Sequence, residues 1–171
     1  MESSTVAVLG VVATGVLLVC SAFFSSSETA IFSLSTEWVE QQSTTGDRRA
    51  QLLRTLRDDP HRLLVTLLVG NNVVNIAISS IVTVLIASYL PPGVAIAATT
   101  LLTSCLVLIF GEIVPKAYGL GNAENWSLRV ASPIRLVERA LSPIITVFDA
   151  ITRRISALIT ADPDIEKPYT E

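Results

Sequence analysis

Residues 63–111 read LLVTLLVGNNVVNIAISSIVTVLIASYLPPGVAIAATTLLTSCLVLIFG and contain no Asp, Glu, Lys, Arg or His. About 20 apolar residues cross a bilayer core of about 30 Å as a helix, so this run is too long for one crossing. Pro91-Pro92-Gly93 interrupts it with two residues that lack an N–H and one that readily makes a turn. The stretch therefore divides into two membrane helices, over about 63–90 and 94–110, joined by a short uncharged loop. A third apolar run lies upstream at 5–24, TVAVLGVVATGVLLVCSAFF, and is again long enough to span. It lacks the basic n-region and the AxA-like site of a signal peptide, so it reads as a helix that stays in the membrane.

Composition agrees. Of 171 residues, 50% are hydrophobic and 16% charged, against about 25% charged in soluble domains, and the mean hydropathy is +0.58. Twelve Lys and Arg against 15 Asp and Glu give a net charge of −3, which supplies no field for a nucleic-acid backbone. Cys20 and Cys105 stand alone in apolar runs, and the single histidine, His61, sits at the foot of the second span. No nucleophile with its base and orienting group can be assembled, so the sequence is not that of an enzyme.

Basic residues set the direction of the spans. The loop after the first helix holds Arg48, Arg49, Arg54, Arg57 and Arg62, and the segment after the third holds Lys116, Arg129, Arg135, Arg139, Arg153 and Arg154; the Pro-Pro-Gly loop holds none. The expected architecture is an all-α membrane protein with three transmembrane helices and the N-terminus outside. On the cytoplasmic side, residues 37–62 form a helical hairpin that turns at Thr44-Thr45-Gly46-Asp47 and buries Leu52, Leu53 and Leu56. Residues 134–159 form an amphipathic juxtamembrane helix, with Ile134, Val137, Leu141, Ile144, Phe148, Ile151, Ile155 and Leu158 on one face and Pro143 placed to kink it. The polar, proline-containing segment 161–171 reads as a linker.

Polar residues inside apolar helices carry the functional signal. Ser21, Ser25 and Glu28 are four and three apart, which stacks two hydroxyls and a carboxylate on one face. They are either cation ligands or serines bonded back to their own helix beside an interfacial anion. Asn72, Asn75 and Ser79 repeat the spacing in the second span, as ion ligands or as glue between helices. In the third, Pro115 has no N–H, which would free the Gly111 carbonyl beside the Glu112 carboxylate; the alternative is an intrahelical Glu112–Lys116 pair. Hydroxyls, carboxamides, a carbonyl and one or two carboxylates suit hard cations, Mg²⁺ or Na⁺, and without thiolate or imidazole they disfavour zinc and copper. Three spans shield such a pathway poorly, which points to a dimer or higher oligomer.

The series FFSSSETAIFSLS (23–35), LLVGNNVVN (67–75) and FGEIVPK (110–116) resembles the transmembrane domain of the CNNM/CorC family of magnesium transporters, over nearly all of 5–160. The resemblance implies a multi-pass cell-membrane protein: a homodimer of three-helix domains with a cytoplasmic juxtamembrane belt, exporting Mg²⁺ in exchange for entering Na⁺. It also implies a cytoplasmic pair of CBS modules that binds Mg-ATP, so 1–160 would be the ion-transport domain and 161–171 the linker toward that pair. Ser25, Asn71 or its neighbour Asn72, and Glu112 fall on the family's motif positions; Ser21, Asn75 and Ser79 join them by helical spacing. Vertebrate-type members have glycine and leucine after the motif serine. Here Ser26, Ser27 and Glu28 follow, leaving Glu28 as a further Na⁺ or Mg²⁺ ligand. A second reading of the same groups is a cation-sensing membrane anchor that regulates another transporter.

Overall fold

The structure, a computed structural model, describes residues 2–159. It is helical throughout, with no strand among the described residues. In chain order the helices are α1 (Glu2–Ser33), α2 (Thr36–Ser43), α3 (Arg48–Arg57), α4 (Pro60–Ala87), α5 (Pro92–Leu106), α6 (Val114–Gly121) and α7 (Ala123–Ile159), with a π-helical segment, Val107–Ile113, joining α5 to α6. Three stretches are long and apolar enough to cross a membrane: Ser4–Ser33, Pro60–Ala87 and Pro92–Gly121. Outward-facing residues such as Val8, Val19, Ile76 and Leu101 are more than 60% exposed, the distribution of a chain whose solvent is lipid.

The connections follow local chemistry. Ser35 caps α2 by accepting the Trp38 N–H, and Asp47 caps α3 by accepting the Arg49 N–H. Between them Gly46 adopts φ +84°, a left-handed conformation that disfavours a side chain. The hairpin read from the sequence is therefore present. Asp59 caps α4 through the Arg62 N–H, and Pro60 occupies its first turn, where the missing N–H is harmless.

The third span departs from expectation. Pro115 does not end the helix, which runs on to Gly121. The turn before the proline widens instead, so that the Val114 N–H reaches back five residues to the Ile109 carbonyl. Pro115 itself donates to nothing: at α spacing the carbonyl left without its N–H is Gly111, and at π spacing it is Phe110. α7 likewise begins eleven residues before 134 and carries Pro133 as well as Pro143.

The main core lies at one end of the spans. Phe24 and Ile31 of α1 and Leu34 just after it meet Val39 of α2, Leu53 and Leu56 of α3, Leu63 and Leu67 of α4, and Val130, Ala131 and Ile134 of α7. Leu53 of α3 and Ile134 of α7, fully buried and outside the spans, each contribute about 1.5–3 kcal/mol relative to exposure in water. Two polar ties reinforce the packing. Arg57 Nη1 donates to the Leu34 carbonyl at 2.7 Å, and Glu138, 7% exposed, accepts from Arg62 Nε and Arg135 Nη1, each at 2.7 Å. Further along α7, Ile144 and Ile151 stay exposed. Ile155 and Leu158 lie outside the described side chains, and 161–171 outside the described residues.

Candidate cation site between α1, α4 and the π segment

α6 packs on α1 closely enough that a Cβ on Gly119 would stand 2.3 Å from the Ser26 carbonyl oxygen. Trp126 of α7 secures the same turn, its indole Nε1–H donating to Ser26 Oγ at 3.1 Å, while that hydroxyl donates to the Ala22 carbonyl at 2.7 Å. These contacts bring the C-terminal polar turns of α1 against the π segment.

At the centre of the contact stands Ser21, fully buried. Its Oγ lies 2.8 Å from Asn75 Oδ1 and 3.0 Å from Asn71 Oδ1, and a Cβ on Gly111 would come within 2.7 Å of it. The hydroxyl has a single proton to donate. It can donate to one carboxamide oxygen; the other carboxamide either turns its Nδ2–H toward the serine oxygen or keeps its Oδ1 there for a cation to share.

The other serines of the first motif divide. Ser26 and Ser33 bond back to their own helix, at 2.7 Å and 2.9 Å. Ser25 and Ser27 are buried, and neither hydroxyl has a hydrogen-bond partner among the described residues. Ser25 sits one turn from Ser21, so it is the available oxygen nearest in register.

Glu112 follows Gly111 directly, half-buried. The alternative intrahelical pair does not form: Lys116 Nζ approaches Glu28 Oε2 instead, at 3.6 Å, and Glu112 has no ion pair among the described residues. Glu28 thus already has a cation nearby, and Glu112 is the carboxylate without one. Asn72 is exposed and stands apart from the cluster, because Asn71 and Asn75, four apart, share the face toward α1 while Asn72 is rotated 100° onward. Asn71 occupies the place the sequence spacing gave to Asn72. Ser79 is half-buried one turn beyond Asn75, its hydroxyl unbonded among the described residues.

A stripe on α5 was passed over in the sequence. Ala95, Thr99 and Thr103, continued by Val107 of the π segment, are all buried at intervals of four, and the hydroxyls of Thr99 and Thr103 have no partner among the described residues. Thr103 and Asn75 share a cavity of about 290 Å³ with Ser104. The signal was the four-residue repeat of threonine in an otherwise aliphatic helix. Among the described residues no three His, Cys, Asp or Glu gather in one place, so the oxygen set is mostly neutral, with one carboxylate.

A family profile described as the Cyclin M transmembrane N-terminal domain matches residues 12–171. The chain belongs to the CNNM family. It is 33% identical over 153 residues to a UPF0053 protein of Haemophilus influenzae, covering 89% of this chain and 36% of the relative. It is 31% identical over 146 residues to the UPF0053 inner membrane protein YfjD of Escherichia coli, covering 85% and 34%. A chloroplastic DUF21 domain-containing protein of Arabidopsis thaliana is 34% identical over 129 residues, or 75% of this chain and 19% of that protein. The chain thus spans about a third of the length of the bacterial relatives it matches. With its three spans, this CNNM domain is a multi-pass cell-membrane protein.

Proposed function

We propose that this CNNM domain binds Mg²⁺ between α1, α4 and the π segment and carries it out of the cell, with Na⁺ entry as the coupled flux. The observation that carries the reading is the convergence of Asn71, Asn75 and Gly111 on Ser21, with the adjacent Glu112 carboxylate lacking a cationic partner among the described residues. Mg²⁺ demands oxygen ligands in near-octahedral array at about 2.0–2.1 Å and gives up its water reluctantly. Two carboxamides, the hydroxyls of Ser21 and Ser25, a carbonyl near Pro115 and one carboxylate offer a partial replacement for that shell, leaving room for retained waters. Ca²⁺ generally recruits more carboxylates than this.

In this mechanism the ion enters from the side of the basic loops, which the excess of arginine makes cytoplasmic and which puts the N-terminus outside. The wide turn ahead of Pro115 is the element that rearranges to release it outward, since broken helix geometry at membrane depth serves where it lines a site. A homodimer would complete the shielding that three spans leave open, and a CBS pair beyond residue 171 would regulate it. The domain performs no covalent chemistry.

Binding is tested separately from transport by titrating the purified chain with Mg²⁺ and following its melting temperature, in parallel with Glu112→Ala. Saturable stabilisation that the variant loses supports the site. Equal stabilisation of both proteins removes Glu112, and with it this reading.

A further inference from the structure

We propose that the groove between α3 and α7 is a binding site for the phosphate headgroup of an anionic phospholipid. Arg48 and Arg49, in the first turn of α3, face Arg135 and Arg139 of α7 across a cavity of about 640 Å³. Four guanidiniums line it with the carboxylate of Asp47, whose Oδ1 already accepts the Arg49 N–H at 2.8 Å; the carboxylates of Asp59 and Glu138 belong to the adjoining cavity, where Glu138 pairs with Arg135. The positive end of the α3 dipole adds to them. The side chains of Arg48, Arg49 and Arg139 make no ion pair or hydrogen bond among the described residues, which leaves three planar forks suited to phosphate oxygens. Arg135 is already oriented, held at 2.7 Å by the Glu138 that also holds Arg62.

Two features favour a lipid over a free phosphate. The groove has an apolar wall of Leu52 and Leu136, and Leu136 is 69% exposed between two of the arginines. An adjoining cavity of about 460 Å³ shares Arg135 and Arg139 and reaches Leu63, in the first turn of the α4 span, which puts the groove at the membrane border. Headgroup charge would meet the guanidiniums while the upper acyl chain covers leucine, the arrangement by which basic juxtamembrane surfaces hold anionic lipid. The inference needs only that α4 crosses the bilayer, and it is independent of the Mg²⁺ reading.

The test is native mass spectrometry of the detergent-purified chain titrated with dioleoylphosphatidylglycerol, dioleoylphosphatidylcholine or inorganic phosphate. Phosphatidylglycerol should be retained in preference to phosphatidylcholine, and the triple variant R48Q/R49Q/R139Q should lose affinity for it by about tenfold or more. Equal retention of the two lipids, or a triple variant that keeps phosphatidylglycerol, overturns the proposal. Displacement of phosphatidylglycerol by millimolar inorganic phosphate overturns the assignment to lipid. Should the triple variant lack a cooperative melting transition, photo-crosslinking of the unaltered chain with a diazirine-bearing phosphatidylglycerol decides: label in residues 47–56 and 132–139 supports the site, and label confined elsewhere refutes it.

Discussion

Gly111 approaches Ser21 so closely that the first carbon of any side chain would stand 2.7 Å from the serine hydroxyl. This contact holds the π segment against α1 and sets the opening among the oxygens of Ser21, Asn71 and Asn75. Gly111→Ala should therefore destabilise the domain by about 1–3 kcal/mol through overpacking and lower its Mg²⁺ affinity. Addition of Ser21→Ala should recover part of the stability, since it removes the colliding oxygen, without recovering binding. Thermal melts of the four proteins of this cycle, with and without Mg²⁺, give both terms.

Gly119 makes a stricter demand, because its neighbour at 2.3 Å is the backbone carbonyl of Ser26 and no rotamer can relieve the clash. Gly119→Ala should cost more stability than Gly111→Ala and should separate α6 from α1. The direct check is denaturant unfolding of both variants in the same detergent; a milder effect at Gly119 would contradict the packing described.

The two adjacent asparagines should behave differently. Asn71→Ala removes an oxygen 3.0 Å from Ser21 and should weaken Mg²⁺ binding by about tenfold or more, the scale of losses seen when metal-site partners are removed. Asn72→Ala, on the exposed face, should leave binding within about twofold. Calorimetric titration of the pair distinguishes them, and a reversed order would place α4 in another rotation.

Glu138 joins α4 to α7 by accepting from Arg62 and Arg135 while itself buried. Glu138→Ala leaves two part-buried guanidiniums facing each other and should cost about 2–3 kcal/mol. Unfolding free energy compared with that of Arg135→Ala, which leaves the Arg62 pair intact, should show the larger loss for the glutamate.

The spans were legible in the sequence because hydrocarbon thickness fixes their length and charge marks their ends. The helical hairpin was legible because Gly46 and Asp47 punctuate it. The continuation past Pro115 was not: proline commonly ends a helix, and only tertiary packing on α1 makes a widened turn the better solution. Spacing placed Asn75 on a polar face but could not choose between Asn71 and Asn72, since neighbouring residues differ by 100° and both faces are polar at that turn. The Glu28–Lys116 approach joins two helices distant in sequence, so the intrahelical Glu112–Lys116 pair was the only partner that sequence could offer.

The most direct test of the central claim is Mg²⁺ flux in liposomes reconstituted with this chain, under an imposed Na⁺ gradient, beside Glu112→Ala. The account predicts gradient-dependent Mg²⁺ movement that the variant abolishes; flux of equal size through the Glu112→Ala protein would contradict it.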